Sequence, residues 1–379
     1  MQHYERKIKP EVLKSLGQQG SLVVILYGPR QAGKTTLMQE VLKGKEDYTL
    51  LVSGDDIETQ NKFSVHSLDY LKGLVGSKKI LAIDEAQKID NIGLSLKLLV
   101  DNLDIKILVS GSASFDLAHK LNEPLTGRTR TFWVYPLSAA EIGSHHNWKL
   151  NKDTLLNGVL RYGNFPKVFN LPGEADRANY LYDYINNYLY RDILTLGSVR
   201  KPKKVLDLLS LLALQIGGEV SVNELASVLA VNRQTVENYL EVLEKLFVIF
   251  NLRGFSRNLR KEISKTSKYY FYDLGVRNAV IRNFNEFNVR DDIGQLWENF
   301  FIMEKLKAAN NNGKPANFYF WRTYDRKEID LIEERGGILK AYEVKWQKKG
   351  GKVPEDFLTA YPNSEFISVN KEDFQNHLF

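Results

Sequence analysis

The chain's 379 residues suffice for about two to three domains with sizeable buried cores. The absence of cysteine excludes disulfides, thiol catalysis and cysteine-ligated metal clusters. The net charge is +6, and 14 Lys/Arg against 9 Asp/Glu between Lys201 and Arg290 put most of that excess in one region, as a polyanion-binding surface or a solvated basic face.

Residues 1–20 read as a helical lead-in, with Ile8, Val12, Leu13 and Leu16 at helical spacing. The charged first residues, Met1 to Lys7, lack the apolar stretch of a signal peptide, and no run approaches the length of a membrane span. A cytoplasmic protein with no membrane partner is expected. The buried-strand run Val23–Tyr27 then ends in Gly28-Pro29-Arg30-Gln31-Ala32-Gly33-Lys34-Thr35-Thr36, which opens a helix. Strand, G-x-x-x-x-G-K-[ST] loop and helix make a Walker A phosphate site. The glycines let loop N–H groups converge on phosphate oxygens, Lys34 brings a positive charge to the β/γ-phosphates, and Thr35 offers a hydroxyl to Mg²⁺. Arg30 either touches phosphate or pairs with an acidic neighbour.

The next strand is expected over 47–52, a turn at Ser53-Gly54-Asp55-Asp56, and a helix over 67–74. Lys79–Gln87 carries a buried-type strand that ends in Asp84 and Glu85, the Walker B pattern. Asp84 is expected to hold Mg²⁺, and Glu85 to orient and deprotonate the attacking water. A further strand, 105–109, ends in Ser110-Gly111-Ser112; both serines are candidates for the γ-phosphate or lytic water, or for a helix N-cap. Strands alternating with helices predict an α/β sheet whose ligand lies at the carboxyl ends of the strands.

The runs 28–36, Ile83-Asp84-Glu85-Ala86-Gln87 and Ser110-Gly111-Ser112 resemble the bacterial and archaeal AAA+-like ATPases that carry a characteristic C-terminal extension. Leu125-Thr126-Gly127-Arg128, Tyr135-Pro136-Leu137-Ser138 and Tyr190-Arg191-Asp192-Ile193 match as well. Gly163-Asn164-Phe165-Pro166 departs slightly from the usual Gly-Gly-Phe-Pro. The resemblance covers essentially the whole chain and implies ATP with Mg²⁺. It also implies an arginine that completes the site, commonly from a neighbouring subunit of a homo-oligomer; Arg128 matches best, with Arg130 as alternate.

From Asp153 to about Gly197 the pattern is helical and tyrosine-rich, as expected of a lid over the nucleotide. Helices over 205–215, 222–229 and 233–246, then strands over 247–252 and 268–272 around a basic loop, predict a winged helix-turn-helix. Arg233, Gln234 and Asn238 would face a DNA groove, and the wing carries Arg253, Arg257, Arg260, Lys261 and Lys265.

Beyond Asp291, a helix carries Glu298, one strand carries Asp330, and the strand after the Gly336-Gly337 turn carries Glu343-x-Lys345, whose side chains share a face. This set resembles the PD-(D/E)xK nuclease fold. The resemblance implies that Glu298, Asp330 and Glu343 hold Mg²⁺ or Mn²⁺ while Lys345 positions or activates water, with Gln347 as a possible addition.

The expected architecture is therefore an AAA+-like α/β P-loop NTPase core (1–150), a helical lid (151–200), a winged helix (201–290) and an α+β PD-(D/E)xK-like domain (291–379). The expected function is ATP hydrolysis that moves a winged-helix and nuclease-like module on DNA. The alternative is a nucleotide-controlled signalling or scaffolding switch whose C-terminal domains bind protein and do not cut DNA. A small-molecule P-loop kinase is disfavoured, because a phosphoacceptor site explains neither Glu85 nor the trailing domains.

Overall fold

A computed structural model describes residues 3–112, 125, 127–195, 199, 201–256, 267–323, 327–347 and 354–378. The chain forms two compact units, His3–Leu137 with Lys245–Phe247, and Ser138–Glu244 with Val248–Phe379. No helix among the described residues is long and apolar enough to cross a membrane.

The first unit is built on five parallel strands: β1 (Leu22–Tyr27), β2 (Thr49–Ser53), β3 (Ile80–Asp84), β4 (Lys106–Gly111) and β5 (Thr129–Trp133). Their spatial order is β2-β3-β4-β1-β5. Five of the six β1 residues are buried, as a central parallel strand covered on both faces requires. Ile8 and Val12 of the lead-in and Leu37 and Val41 of the helix Lys34–Leu42 pack with Val24, Leu26, Ala82, Leu108 and Phe132 from the sheet. Asp47 and Tyr48, expected in β2, instead form a 3₁₀ turn before it. β5 is not foreseen by sequence pattern: it is an edge strand that buries only Phe132. Its alternation with Thr and Arg carries little hydrophobic signal.

The second unit holds a seven-stranded sheet: β6 (Glu219–Val220), β7 (Ile249–Gly254), β8 (Ser267–Phe271), β9 (Asn317–Arg322), β10 (Glu328–Arg335), β11 (Ile338–Val344) and β12 (Ser364–Val369). The order is β12-β11-β10-β9-β7-β8-β6. β10 and β11 meet through Gly336-Gly337, both at positive φ (57° and 82°), the geometry a two-residue hairpin turn needs. The antiparallel pair β7–β8, expected as a wing, is joined to the C-terminal strands: Arg253 pairs with Tyr319 and Gly254 with Phe320, in parallel. The two C-terminal segments therefore share one sheet.

The helix Ile293–Asn311 buries Trp297, Phe300 and Phe301, and Asn299 clamps β8 by accepting from the N–H of Phe271 (2.7 Å) and donating to its carbonyl (2.9 Å). The predicted helices over 222–229 and 233–246 start where side chains cap them: Ser221 accepts from the Glu224 N–H and Asn232 from the Thr235 N–H. The helices expected as a lid, Trp148–Tyr162 and Glu174–Asp183, lie in this second unit, where Arg161 bonds both Glu174 and Glu286. Asn164, the departure from Gly-Gly-Phe-Pro, donates its side-chain amide to Glu304 (3.2 Å) and its N–H to Asp273 (2.6 Å).

Candidate functional site

β1 ends at the P-loop, β3 at Asp84 and β4 at Ser110-Gly111, so the strand order brings three sets of polar residues to one edge of the sheet. Gly33 takes φ 92° as the loop turns into the helix Lys34–Leu42. Gln31 also takes a positive φ, 64°. The Lys34 ammonium is buried and donates to the carbonyls of Gly28 (2.9 Å) and Pro29 (2.7 Å), which fold it over Gly28-Pro29-Arg30-Gln31-Ala32-Gly33. Thr36 follows Thr35 in the first turn of the helix.

Asp84 joins the motifs. Its Oδ2 accepts from the Thr35 hydroxyl at 2.7 Å, and its Oδ1 accepts from the Ser110 hydroxyl. A hydroxyl and a carboxylate oxygen side by side are the hard oxygen donors that suit Mg²⁺, which completes its shell with water and phosphate. Thr35 and Asp84 therefore fit that ion. Ser110 is fully buried within β4, where it also accepts from the Glu85 N–H (3.2 Å), so it holds both the Asp84 carboxylate and the Glu85 main chain. Glu85 sits at φ 51°, and its Oε2 accepts from the Gln87 amide (2.5 Å), which also donates to the Ser112 hydroxyl (3.0 Å).

Arg128 sits elsewhere. The Val23 N–H bonds its carbonyl at the amino end of β1, and its guanidinium pairs with Asp101. The length of β1, about 16 Å for a strand of this size, separates that end from the P-loop. Arg128 therefore does not complete the phosphate site of its own chain. Arg130 pairs with Glu11 and lies over the Phe132 ring.

In the second unit the four sequence-predicted acid and base positions do converge. Asp330 accepts from the Val344 N–H (2.7 Å) and lies 3.8 Å from the Lys345 ammonium, which pairs with Glu343 at 2.7 Å. Glu298 accepts from the Tyr270 hydroxyl (2.5 Å). Burial, then the charges of Glu298 and Glu343, push Asp330 up to about 7; burial likewise raises Glu298 against the opposing pull of Lys268. The second Mg²⁺ or Mn²⁺ expected here finds no support: among the described residues no group of three or more His, Asp or Glu side chains is poised to hold a metal ion. The acids are instead neutralised by lysines. Gln347 is exposed.

On the helix Arg233–Lys245, Arg233 pairs with Glu237 (2.8 Å) and Gln234 with Asn238 (3.2 Å), all on the surface. Arg257, Arg260, Lys261 and Lys265 lie outside the described residues.

A family model described as an AAA domain matches residues 20–143, and two domains of unknown function, DUF8612 and DUF4143, match 153–286 and 293–377. An uncharacterized protein of Mycobacterium tuberculosis is 30% identical over 329 residues, which cover 85% of this chain and 70% of the relative. The chain belongs to that family of AAA+-like ATPases. An uncharacterized protein of Methanocaldococcus jannaschii is similar at 24% identity, over 93% of this chain and 83% of its own length. Among solved structures, the Thermotoga maritima RuvB Holliday junction branch migration motor is similar with a TM-score of 0.31 and 16% identity, over 68% of this chain and 91% of that one.

Sequence reasoning assigned no role in this AAA+-like site to Arg6, Gln87 or Gly54. Arg6 is buried and bonds the Ala32 carbonyl of the P-loop (2.6 Å) and the Tyr135 carbonyl (2.6 Å). Nothing in the local pattern around Arg6 signals that reach of 26 residues. Gln87 was legible by its spacing, two residues after the candidate base. Gly54 donates its N–H to the Asp84 carbonyl (2.8 Å), and a Cβ there would stand 2.3 Å from the Glu85 carbonyl oxygen. Gly54→Ala is expected to displace the Asp84-Glu85 turn and lower ATP turnover by about 10²-fold, as small misplacements of catalytic groups do. Steady-state kinetics with circular dichroism as a fold control checks this; unchanged kcat would refute it.

Proposed function

We propose that the chain hydrolyses ATP at the Lys34 loop and that nucleotide turnover controls how its C-terminal unit engages a macromolecular partner. The observation that carries the reading is the bond from Thr35 to Asp84, which puts P-loop and Walker B oxygens within one ion's reach. In this reading Lys34 and the loop N–H groups hold the phosphates, and Thr35 and Asp84 would hold Mg²⁺, which offsets charge on the β/γ-phosphates. Glu85 takes the proton of the attacking water, with Gln87 and Ser112 fixing its carboxylate. Arg128 belongs to the surface of the core and is offered to the nucleotide of a neighbouring copy.

For the partner, the folded geometry favours a nucleotide-controlled switch that binds protein. Lys268, Arg277 and Arg290, three cations of the basic region, are buried in ion pairs. They do not add to an outward field. Arg233 is paired with Glu237 on the helix that a winged helix would present to a groove. Action on DNA is the second reading, and it rests on the basic run Arg257, Arg260, Lys261 and Lys265 of the wing. ATP turnover measured with and without DNA at two salt concentrations separates them. The switch reading expects turnover unchanged by DNA; stimulation that collapses as salt rises would establish the DNA reading instead.

A further inference from the structure

Lys268, on β8, is 2% exposed and reaches into the C-terminal carboxylate cluster. Its ammonium donates to Glu328, lies 3.7 Å from Glu298 Oε1, and stands 5.4 Å from the centre of the Phe320 ring. Asp330, two residues further along β10, adds its negative charge to the surroundings of Lys268. From the far side Lys345 pairs with Glu343 and approaches Asp330. Glu298 has Tyr270 as a donor, and Asp330 has the Val344 N–H. Each carboxylate thus has a fixed cationic or hydrogen-bonding partner supplied by this chain.

A Mg²⁺ or Mn²⁺ ion demands near-octahedral oxygen donors. Here Glu298 and Glu328 already meet the buried Lys268 ammonium, and Asp330 and Glu343 meet Lys345, so a divalent cation among them would add like charge at close range. Lys268 comes from β8, a strand outside the Glu298, Asp330, Glu343-x-Lys345 set. A buried lysine is costly unless its charge is met, and Glu298 and Glu328 meet it. The residues present therefore do not fit the metal that a nuclease-like pattern implies.

We infer that the Lys268 ammonium stands in place of a divalent cation, so that Glu298, Glu328, Asp330 and Glu343 form a lysine-held cluster that takes no metal ion. The cluster joins β8, β10, β11 and the helix Ile293–Asn311 through ion pairs and hydrogen bonds. The inference is independent of ATP hydrolysis, because it is read without nucleotide.

Manganese binding by the nucleotide-free full chain, followed by calorimetry and by the shift in melting temperature, tests it. The wild-type protein is expected to bind no Mn²⁺ in this cluster up to about 1 mM, a concentration that fills weak carboxylate sites. Asp330→Asn should leave its titration unchanged, which separates the cluster from Thr35 and Asp84. Lys268→Met keeps the apolar stem and removes the like charge, and should gain at least about tenfold in Mn²⁺ affinity with a metal-dependent rise in melting temperature. Saturable wild-type binding lost in Asp330→Asn would overturn the inference, as would a folded Lys268→Met protein that binds no more tightly than wild type. Should Lys268→Met fail to fold, the comparison of wild type with Asp330→Asn decides alone.

Discussion

Glu85→Gln is expected to lower kcat for ATP by about 10²–10⁴-fold, the usual contribution of a positioned general base, while ATP still binds. The amide keeps the shape of the side chain but cannot accept a proton. The main-chain contacts that build the site, from Ser110 to the Glu85 N–H and from Gly54 to the Asp84 carbonyl, stay intact. Lys34→Ala should behave differently. Its ammonium bonds the Gly28 and Pro29 carbonyls, so truncation removes both the cation for the phosphates and two bonds that hold the loop. ATP binding itself is expected to be lost. Nucleotide calorimetry paired with single-turnover hydrolysis distinguishes the two variants; normal turnover by Glu85→Gln would remove that residue as the base, and wild-type ATP affinity in Lys34→Ala would remove the loop as the site.

The largest expected effect on stability is at Asp292. Its carboxylate pairs with Arg290 through two bonds of 2.8 Å and with Arg277 as well, and both guanidinium groups are buried. Arg277 also donates to the Ala213 carbonyl (2.8 Å), and Arg290 to the Asn283 carbonyl (2.8 Å). Asp292→Asn keeps the volume and strands two buried cations, which should cost about 3–5 kcal/mol at neutral pH. The sign with pH follows from the carboxylate. Burial pushes its pKa up, but Arg290 and Arg277 outweigh burial and hold it below the usual aspartate value. A lowered folded pKa gives stability that is present above the unfolded value near about 4 and is lost as pH falls through the folded one. The gap between wild type and Asp292→Asn in urea melts should therefore be full at pH 7 and shrink below about pH 4. A gap that does not change with pH would assign the loss to shape and not to charge.

The parallel core was legible in the sequence because its signals are local and agree with one another. An apolar run, a glycine loop and a Lys-Thr pair follow in order, and the two acids stand directly after a second apolar run. The helix starts at Val222 and Arg233 were legible for the same reason. What stayed hidden depends on contacts between distant segments. Ser110 gave no sign that Asp84 would take its hydroxyl, since that bond exists only because β4 lies between β1 and β3. The Glu298, Asp330, Glu343 and Lys345 set was found by type and spacing, and it does assemble. Lys268 and Glu328 were missed, because a lone lysine in Ser267-Lys268-Tyr269-Tyr270-Phe271 looks like the solvent edge of a strand. Arg128 shows the opposite limit: the motif position was clear, and the register of β5 against β1 decides which end of the sheet it occupies.

The parallel pairing of β7 with β9 bears on how this protein can be cut into pieces. The family-model boundary between 286 and 293 falls inside the span that separates these two strands in sequence, although they are hydrogen-bonded neighbours. A fragment ending near 290 would keep β7 with β8 but lose β9, and a fragment starting there would carry β9 with a raw flank. Unsatisfied strand flanks recruit other chains. Dissection by domain boundary would thus yield two sticky halves, and the inheritable segments of this chain are not its severable bodies.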